Sequence, residues 1–120
     1  MDSSGWLEYF IDGKNAKFFA KPIEDTENLL VSAINLYEVY KKVLKEKNES
    51  AAKQVTALMM QGKVANIDAS LSLKAAELSY NLNMPMADSL IYVTAQNYSA
   101  ILWTQDYDFK NLGGVKFIKK

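Results

Sequence analysis

The chain has 120 residues, of which 49% are hydrophobic and 23% are charged, and its formal net charge is zero. This length and composition are typical of one folded domain, so we expect residues 1–120 to form a single unit. The sequence contains neither cysteine nor histidine, which excludes disulfides, thiolate or imidazole metal sites and catalysis by those side chains. No stretch approaches about eighteen continuous apolar residues and no signal peptide is evident, so a cytoplasmic protein without membrane association is expected.

The first half of the chain alternates between predicted helices and one strand. Ser3 and Ser4 begin a short helix over WLEYF, and a second short helix, NAKFFAKPIE, is expected to end at Pro22. The apolar run NLLVSA has the length of a strand, and an amphipathic helix over INLYEVYKKVLKEK follows it. AAKQVTALMMQG is a further helix, which Gly62 closes.

The second half repeats this alternation. KVANI is a short strand, and the helix ASLSLKAAELSYNL begins after Asp68. Pro85 lies in the first turn of the helix MPMADSLIYVTAQNY, which is followed by the strands AILWT and VKFI. Because parallel strands need crossovers and helices supply them, the pattern predicts an α/β fold, a three-layer α/β/α sandwich with a parallel sheet.

Ligands of such sheets bind beyond the carboxyl ends of the strands, and acidic residues stand at these positions here. They are Asp2, Glu38, Asp88, Asp106 and Asp108. We expect them to converge on one edge of the sheet and to line a pocket with carboxylate oxygens. Like charges at close range raise one another's pKa values, and a hard divalent cation such as Mg²⁺ or Mn²⁺ relieves the repulsion.

Most of these acids also have a purely structural interpretation. Asp2 can cap a helix, and one acid after the strand AILWT can cap the turn that follows. Glu38 can form an exposed ion pair with Lys41 or Lys42, three and four residues further along its helix.

Asp88 is harder to explain in this way. Its neighbours at helical spacing, Ile91, Tyr92 and Ala95, form an apolar face. Asp88 can complement the positive end of the helix dipole, but a carboxylate buried there without a partner would be costly. Such surroundings favour a carboxylate only where a cation compensates its charge, so ligation of a metal ion is the economical explanation for its presence.

Four segments of the sequence together resemble the PIN-domain nucleases, especially the VapC toxins of toxin–antitoxin pairs. They are DSS at Asp2, INLYEVYKK around Glu38, MPMADSLIYVTA around Asp88 and LWTQDYDF at Asp106. The resemblance implies a parallel sheet between helices and an acidic cluster that holds one or two Mg²⁺ or Mn²⁺ ions and cuts RNA. It implies catalytic and metal-binding roles for Asp2, Glu38, Asp88 and Asp106, a further metal ligand in Asp108, and an orienting role for Ser3, Ser4 and Thr104.

The same resemblance implies an RNA substrate, a cognate antitoxin that blocks the acidic pocket, and a second copy of the chain in a homodimer. The zero net charge argues weakly against a nucleic-acid partner, but acids gathered at one site would leave a lysine-rich surface elsewhere. Lys41, Lys42 and Lys45 are the expected contacts to the phosphate backbone, although a solvated helix face explains them equally well.

The sequence departs from the family at its start. Family members have a short apolar strand before the first aspartate, whereas only Met1 precedes Asp2 here. Either that strand lies upstream of this chain, or the first strand is truncated or missing and the sheet pairs around a gap.

Two other functions remain open at this point. A signalling receiver domain has similar length and alternation, with Asp68 as phosphoacceptor, Thr104 as switch hydroxyl and Lys119 as its lysine. It fits less well, because DSSG lacks an acidic pair and Asp68 is more simply a helix cap. The other is a non-catalytic interaction module that retains only the fold.

Overall fold

The computed structural model describes all 120 residues and confirms the predicted α/β class. The elements are α1 (Ser3–Phe10), α2 (Ala16–Glu24), β1 (Leu30–Ser32), α3 (Ala33–Glu46), α4 (Glu49–Met59), β2 (Lys63–Ala65), α5 (Ala69–Leu82), α6 (Met86–Asn97), β3 (Leu102–Thr104) and β4 (Val115–Phe117). A 3₁₀ turn over Tyr107–Phe109 lies between the last two strands. None of the helices combines the length and the apolar character that crossing a bilayer requires.

Several helix ends follow the capping signals of the sequence, with differences at two prolines and at Gly62. Gly62 does not close α4, which ends at Met59 and is followed by a turn. Asp68 accepts a hydrogen bond from the backbone N of Leu71 and caps α5, as predicted. Pro22 does not end α2, which continues to Glu24. A proline in the final turn removes only one backbone hydrogen bond, and Ile23 is buried in the core, which favours the extra residues. Pro85 is the N-cap residue of α6 and so lies just before its first turn.

The strands form two separate parallel pairs. β1 pairs with β2, with Leu30 opposite Lys63, and β3 pairs with β4, with Leu102 opposite Val115. No ladder of hydrogen bonds joins β1 to β3, so the sheet is interrupted between its two halves. A sheet that pairs around a gap was one of the two alternatives that the start of the sequence left open.

Helices cover the two faces of this divided sheet and define two main core clusters. One cluster contains residues from each of the helices α1, α2, α3 and α4 and from β1, and its members include Trp6, Phe19 and Val31. The other joins α6 to β3 and includes Tyr92 and Leu102. Trp103, the residue after Leu102, packs against the first cluster, because successive side chains of a strand point to opposite faces. The result is the three-layer arrangement predicted from the alternation.

The carboxyl ends of β1 and β3 meet at the start of the chain. Thr104, the last residue of β3, donates a hydrogen bond to Asp2. Asn35, in the first turn after β1, donates one to Ser3. The candidate site therefore lies at one edge of the sheet, between strand ends that are far apart in sequence.

Candidate metal centre

Three carboxylates meet beyond the end of β3. Asp88 comes from the first turn of α6, Asp106 is the N-cap residue of the 3₁₀ turn that follows β3, and Asp108 lies within that turn. One carboxylate oxygen of each lies within 4.8 Å of the other two. Asp88 and Asp106 are partly buried, and Asp108 is exposed. The three residues therefore offer oxygen ligands of the kind that hard divalent cations prefer.

The 3₁₀ turn fixes the direction of Asp106. Its Oδ1 accepts a hydrogen bond of 2.9 Å from the backbone N of Asp108, so Asp106 caps the turn. The structural role predicted for one acid of this pair is thus present. This role does not exclude Asp106 from the cluster of three acids, because the second oxygen of its carboxylate is still available as a ligand.

Asp88 is under electrostatic strain from this arrangement. Its pKa is raised from 3.8 to about 7, first by burial, then by the charge of Asp106, by a hydrogen bond with Asp108 and by the charges of Asp108 and Glu38. All of these causes disfavour the ionised carboxylate in the absence of a cation. A divalent ion among the carboxylates would reverse this preference, so the donor set fits such an ion.

Glu38 faces the same site from α3. Its Oε1 accepts a hydrogen bond of 2.6 Å from Ser3 Oγ, which in turn accepts one of 3.0 Å from Asn35 Nδ2. Glu38 does not form the ion pair that could have explained it: Lys42 pairs with Glu46, and the Lys41 ammonium lies over the Tyr37 ring. Glu38 is thus oriented towards the sheet edge, where its charge raises the pKa of Asp88.

Asp2 lies next to the group of three acids and not within it. The residue is only 3% exposed, and its carboxylate accepts hydrogen bonds from Thr104 Oγ1 at 2.6 Å and from Ser4 Oγ and the Gly5 backbone N at 3.0 Å. It caps α1, which was its structural interpretation. Burial raises the pKa of Asp2, and these three hydrogen bonds oppose that rise.

Thr104 forms hydrogen bonds both to Asp2 and to Asp106, a member of the cluster of three acids. Its Oγ1 donates to Asp2 Oδ2 and accepts a hydrogen bond of 2.9 Å from the backbone N of Asp106. One fully buried hydroxyl therefore sets the position of the first acid relative to the start of the 3₁₀ turn. This is the kind of orienting contact that the resemblance implies for Thr104.

Sequence reasoning missed Asn35. It is 1% exposed and is part of the capping box at the start of α3, where its Oδ1 accepts a hydrogen bond from the backbone N of Ser32. Its Nδ2 donates a hydrogen bond to Ser3 Oγ, and Ser3 Oγ donates one to Glu38 Oε1. The signal was available as a serine followed three residues later by an amide, the spacing of a capping box.

The candidate RNA-binding lysines lie further along the helix that carries Glu38. Lys41, Lys42 and Lys45 are all exposed. Lys42 forms an ion pair with Glu46, and the Lys41 ammonium lies 5.7 Å from the centre of the Tyr37 ring. They follow Glu38 on α3 by three, four and seven residues.

The fold and its acid-rich edge define an α/β domain with a candidate divalent-cation site. The family model for the PIN domain matches residues 1–115, so the chain belongs to the PIN domain family. The resemblance seen in the four sequence segments is therefore confirmed. The receiver-domain alternative does not hold, because the chain belongs to another family and Asp68 serves as a helix cap.

Two solved structures show the same fold. One is a toxin–antitoxin complex from Klebsiella pneumoniae, with a TM-score of 0.78, 21% identity, and coverage of 96% of this chain and 92% of that chain. Another is VapBC2 from Rickettsia felis bound to a DNA fragment from their promoter, with a TM-score of 0.73, 16% identity, and coverage of 98% and 94%. At these identities the similarity concerns the fold alone. No curated protein matches the chain.

Proposed function

We propose that this protein is a metal-dependent endoribonuclease that cleaves RNA phosphodiester bonds and acts as the toxin of a toxin–antitoxin pair. The observation that carries the proposal is the meeting of Asp88, Asp106 and Asp108, with the charge of Glu38 beside them, in a chain of the PIN domain family. Carboxylates drawn together against their own repulsion are expected where a cation and a phosphate are handled.

Asp88, Asp106 and Asp108 would hold Mg²⁺ or Mn²⁺, and such an ion, when bound, activates water and neutralises charge on the phosphoryl group. Glu38 is our candidate for the residue that accepts the proton of the attacking water. Its Oε1 is fixed by Ser3, and no residue of the chain donates a hydrogen bond to its Oε2. With no histidine in the sequence, a carboxylate is the available base.

We assign the remaining predicted residues to support and substrate binding. Asp2, with Thr104 and Ser4, would hold the edge of the site in place and would complete the ligand set if it moved towards the three acids. Ser3 orients Glu38. Lys41 and its neighbours Lys42 and Lys45 would contact the phosphate backbone of RNA, as exposed cations beside an acidic centre can.

The proposed partners are an antitoxin protein and a second copy of this chain. Of the two solved structures described above, one is a toxin–antitoxin complex and the other is VapBC2, which supports an antitoxin for this chain as well. A protein that inserted a cationic side chain among the three acids would neutralise them and block the cation site.

The experiment is cleavage of a single-stranded RNA by the purified chain with Mg²⁺, with Mn²⁺ and with EDTA. We expect cleavage with either ion and none with EDTA, and a loss of at least about 100-fold in Asp88→Asn and Asp106→Asn. Asp68→Asn is the matched control, because it neutralises an acid outside the site and asparagine is an equally good helix cap. Cleavage that is unchanged in EDTA or in Asp88→Asn would refute the proposed mechanism.

One observation favours a second candidate, a PIN domain that binds its partner but cleaves weakly. Asp2 is held outside the group of three acids by Thr104, Ser4 and Gly5, so the cation would have fewer protein ligands. Antitoxin binding without detectable RNA cleavage under any divalent ion would support this candidate.

A further inference from the structure

An exposed pair of aromatic side chains lies at the same edge of the sheet as the three acids. Tyr107 stands between Asp106 and Asp108 in the 3₁₀ turn and is 52% exposed. Phe117 is the last residue of β4 and lies opposite Thr104, the last residue of β3, so it belongs to the same carboxyl edge. The centres of the Tyr107 and Phe117 rings are 5.1 Å apart. The two rings therefore contact each other beside the candidate metal centre.

This aromatic pair is not part of the hydrophobic core. Tyr107 and Phe117 belong to none of the core clusters, whereas Phe109, two residues after Tyr107, is fully buried and packs with Tyr92. The Tyr92 hydroxyl donates a hydrogen bond to the Gly113 carbonyl oxygen, and the Tyr107 hydroxyl forms no hydrogen bond within the chain. Packing of the core thus explains Phe109 and Tyr92, but it leaves the exposed surface of Tyr107 without a role.

Lys110 adds a positive charge to the pair. Its ammonium lies 5.6 Å from the centre of the Tyr107 ring and 5.6 Å from that of the Phe117 ring, within the range of cation–π attraction. Lys110 is exposed, and the ion pairs of the chain are formed by other lysines. We call Tyr107, Lys110 and Phe117 the Tyr107 platform. It suits a ligand that has both a flat ring and a negative charge.

An unpaired nucleotide has both of these features. Its base can stack on an aromatic side chain, and its phosphate attracts a lysine. Tyr107 is adjacent in sequence to Asp106 and to Asp108, with Cα atoms about 3.8 Å apart. A base stacked on Tyr107 would therefore belong to a nucleotide close to the phosphate at the three acids. In double-stranded RNA the bases already stack on one another, so the platform would favour single strands.

We propose that the Tyr107 platform binds an unpaired base of the RNA substrate by stacking, with Lys110 in contact with a neighbouring phosphate. The inference rests on the proposed function, because it names the part of the RNA that is recognised beside the acidic site. Tyr107 is a substrate-binding residue in this proposal and takes no part in the chemistry. The platform requires no particular base, since every base has a face that can stack.

The experiment measures binding of a fluorescently labelled single-stranded RNA and of the same strand annealed to its complement. All proteins carry Asp88→Asn, so that binding does not depend on cleavage. Tyr107→Leu keeps an apolar side chain against Phe117 but removes the flat ring, and Tyr107→Phe keeps the ring. We expect Tyr107→Leu to weaken binding of the single strand at least about tenfold and of the duplex less than about twofold. Tyr107→Phe should bind both within about twofold of the chain with Asp88→Asn alone.

Tyr98→Leu is the matched control. Tyr98 is 44% exposed and the ammonium of Lys63 lies 4.7 Å from its ring centre, so it resembles Tyr107 in both respects. It is the C-cap residue of α6, about 15 Å along the helix axis from Asp88 in the first turn. We expect Tyr98→Leu to change binding of either RNA by less than about twofold.

Lys110→Gln tests the phosphate contact. Loss of one phosphate contact should reduce the slope of log Kd against log salt concentration by about 0.7 for the single strand. An unchanged slope would overturn the role of Lys110.

With Asp88 intact, Tyr107→Leu should raise KM for cleavage at least about tenfold and change kcat less than about threefold, because stacking holds substrate and transition state alike. Its Mn²⁺ affinity should equal that of the parent chain. The inference is overturned if Tyr107→Leu binds the single strand as Tyr107→Phe does, or if single strand and duplex are weakened equally. It is also overturned if Mn²⁺ affinity falls, since Tyr107 would then serve the three acids.

The two proposals can fail separately. If Tyr107→Leu loses binding of the single strand as expected but the parent chain never cleaves RNA, the platform stands and the proposed cleavage is refuted. If the parent chain cleaves RNA and Tyr107→Leu cleaves it with an unchanged KM, the cleavage stands and the platform is refuted.

Discussion

Asp88 stands on a helix whose following residues are buried, and this position determines its chemistry. Ile91 and Tyr92 pack into the core one turn later, while the Asp88 carboxylate turns towards Asp106 and Asp108. Nothing in the chain neutralises it, because the ion pairs of the chain lie on the outer surfaces of α3 and α4. The arrangement is consistent with a ligand site that is complete only with a cation.

This position predicts an unusual dependence of stability on pH in metal-free protein. The pKa of Asp88 is about 7 in the folded chain and 3.8 as the ordinary value, so between these pH values the folded state binds the additional proton. Stability should therefore fall as pH rises from about 4 to about 7, the reverse of the usual behaviour of an ion-paired carboxylate. Urea midpoints measured in EDTA across this range test the prediction.

Asp88→Asn is the control for this pH dependence. The variant should be more stable than the parent at about pH 8 and should lose the decline attributed to Asp88, because the repelled charge is gone. Mg²⁺ should stabilise the parent more at about pH 8 than at about pH 5, since binding requires the ionised carboxylate. A parent chain whose stability rises steadily with pH in EDTA would contradict this description of Asp88.

Thr104 provides a second test at the level of one side chain. Thr104→Val keeps the shape of the residue but removes the donor to Asp2 and the acceptor of the Asp106 backbone N–H. Because Asp2 is buried, we expect a loss of about 1–3 kcal/mol in the free energy of unfolding, measured by urea denaturation.

Thr94→Val is the matched control for Thr104→Val. Thr94 is also buried, but its hydroxyl donates to the Leu90 carbonyl within α6, a group that belongs to the helical ladder. We expect a change below about 0.5 kcal/mol, since no buried charge loses its partner. Equal effects of the two substitutions would show that the hydroxyl of Thr104 has no special role at the site.

The sequence predicted individual site residues unevenly. Asp88 stood out because a single acid interrupts an apolar helical face, and Asp106 and Asp108 followed from their place after a strand. The distance of Asp2 from the three acids could not be predicted, because it depends on the hydrogen bonds of Thr104 and Ser4 in the folded chain. Asn35 was missed because its side chain acts on Glu38 only through Ser3.

Among the elements, α1 and α2 hold the start of the chain against the rest of the fold. They cross at Gly5, where an added Cβ would lie 2.6 Å from Cε1 of the Phe19 ring. Phe19 is fully buried and cannot move aside without disturbing the core that includes Trp6. The close approach of these helices therefore sets the position of Asp2, which caps α1.

Gly5→Ala tests this close approach. Alanine favours a helix by up to about 1 kcal/mol, but overpacking against Phe19 should outweigh it and lower the free energy of unfolding by about 1–3 kcal/mol. Gly113→Ala is the control, because an added Cβ there meets no atom within 4 Å. We expect it to change stability by less than about 0.5 kcal/mol in the same urea experiment. A Gly5→Ala chain as stable as the parent would show that the helices can separate without cost.

Helices were easier to predict than strands in this chain. Capping residues such as Asp68 mark helix starts locally, and α5 begins and ends where the sequence indicates. Each strand has only three residues, shorter than the apolar runs NLLVSA and AILWT, because a strand ends where its neighbour no longer pairs with it. Pairing is a property of two segments and leaves no signal in either one alone.

At the scale of the whole molecule, the alternation of elements was enough to predict the layers, and four segments were enough to indicate the PIN domain family. The division of the sheet into two pairs was one of two alternatives that the start of the sequence left open. The size and shape of the cavity between the two strand pairs could not be predicted, because they depend on how α2 and α6 pack across the gap.

The central claim is that Asp88, Asp106 and Asp108 bind a divalent cation, and Mn²⁺ binding followed by electron paramagnetic resonance tests it without reference to any substrate. We expect saturable binding by the parent chain and by Asp68→Asn, and at least about tenfold weaker binding by Asp88→Asn and Asp106→Asn. Equal binding by all four chains, or no saturable binding by the parent at about pH 8, would contradict the claim.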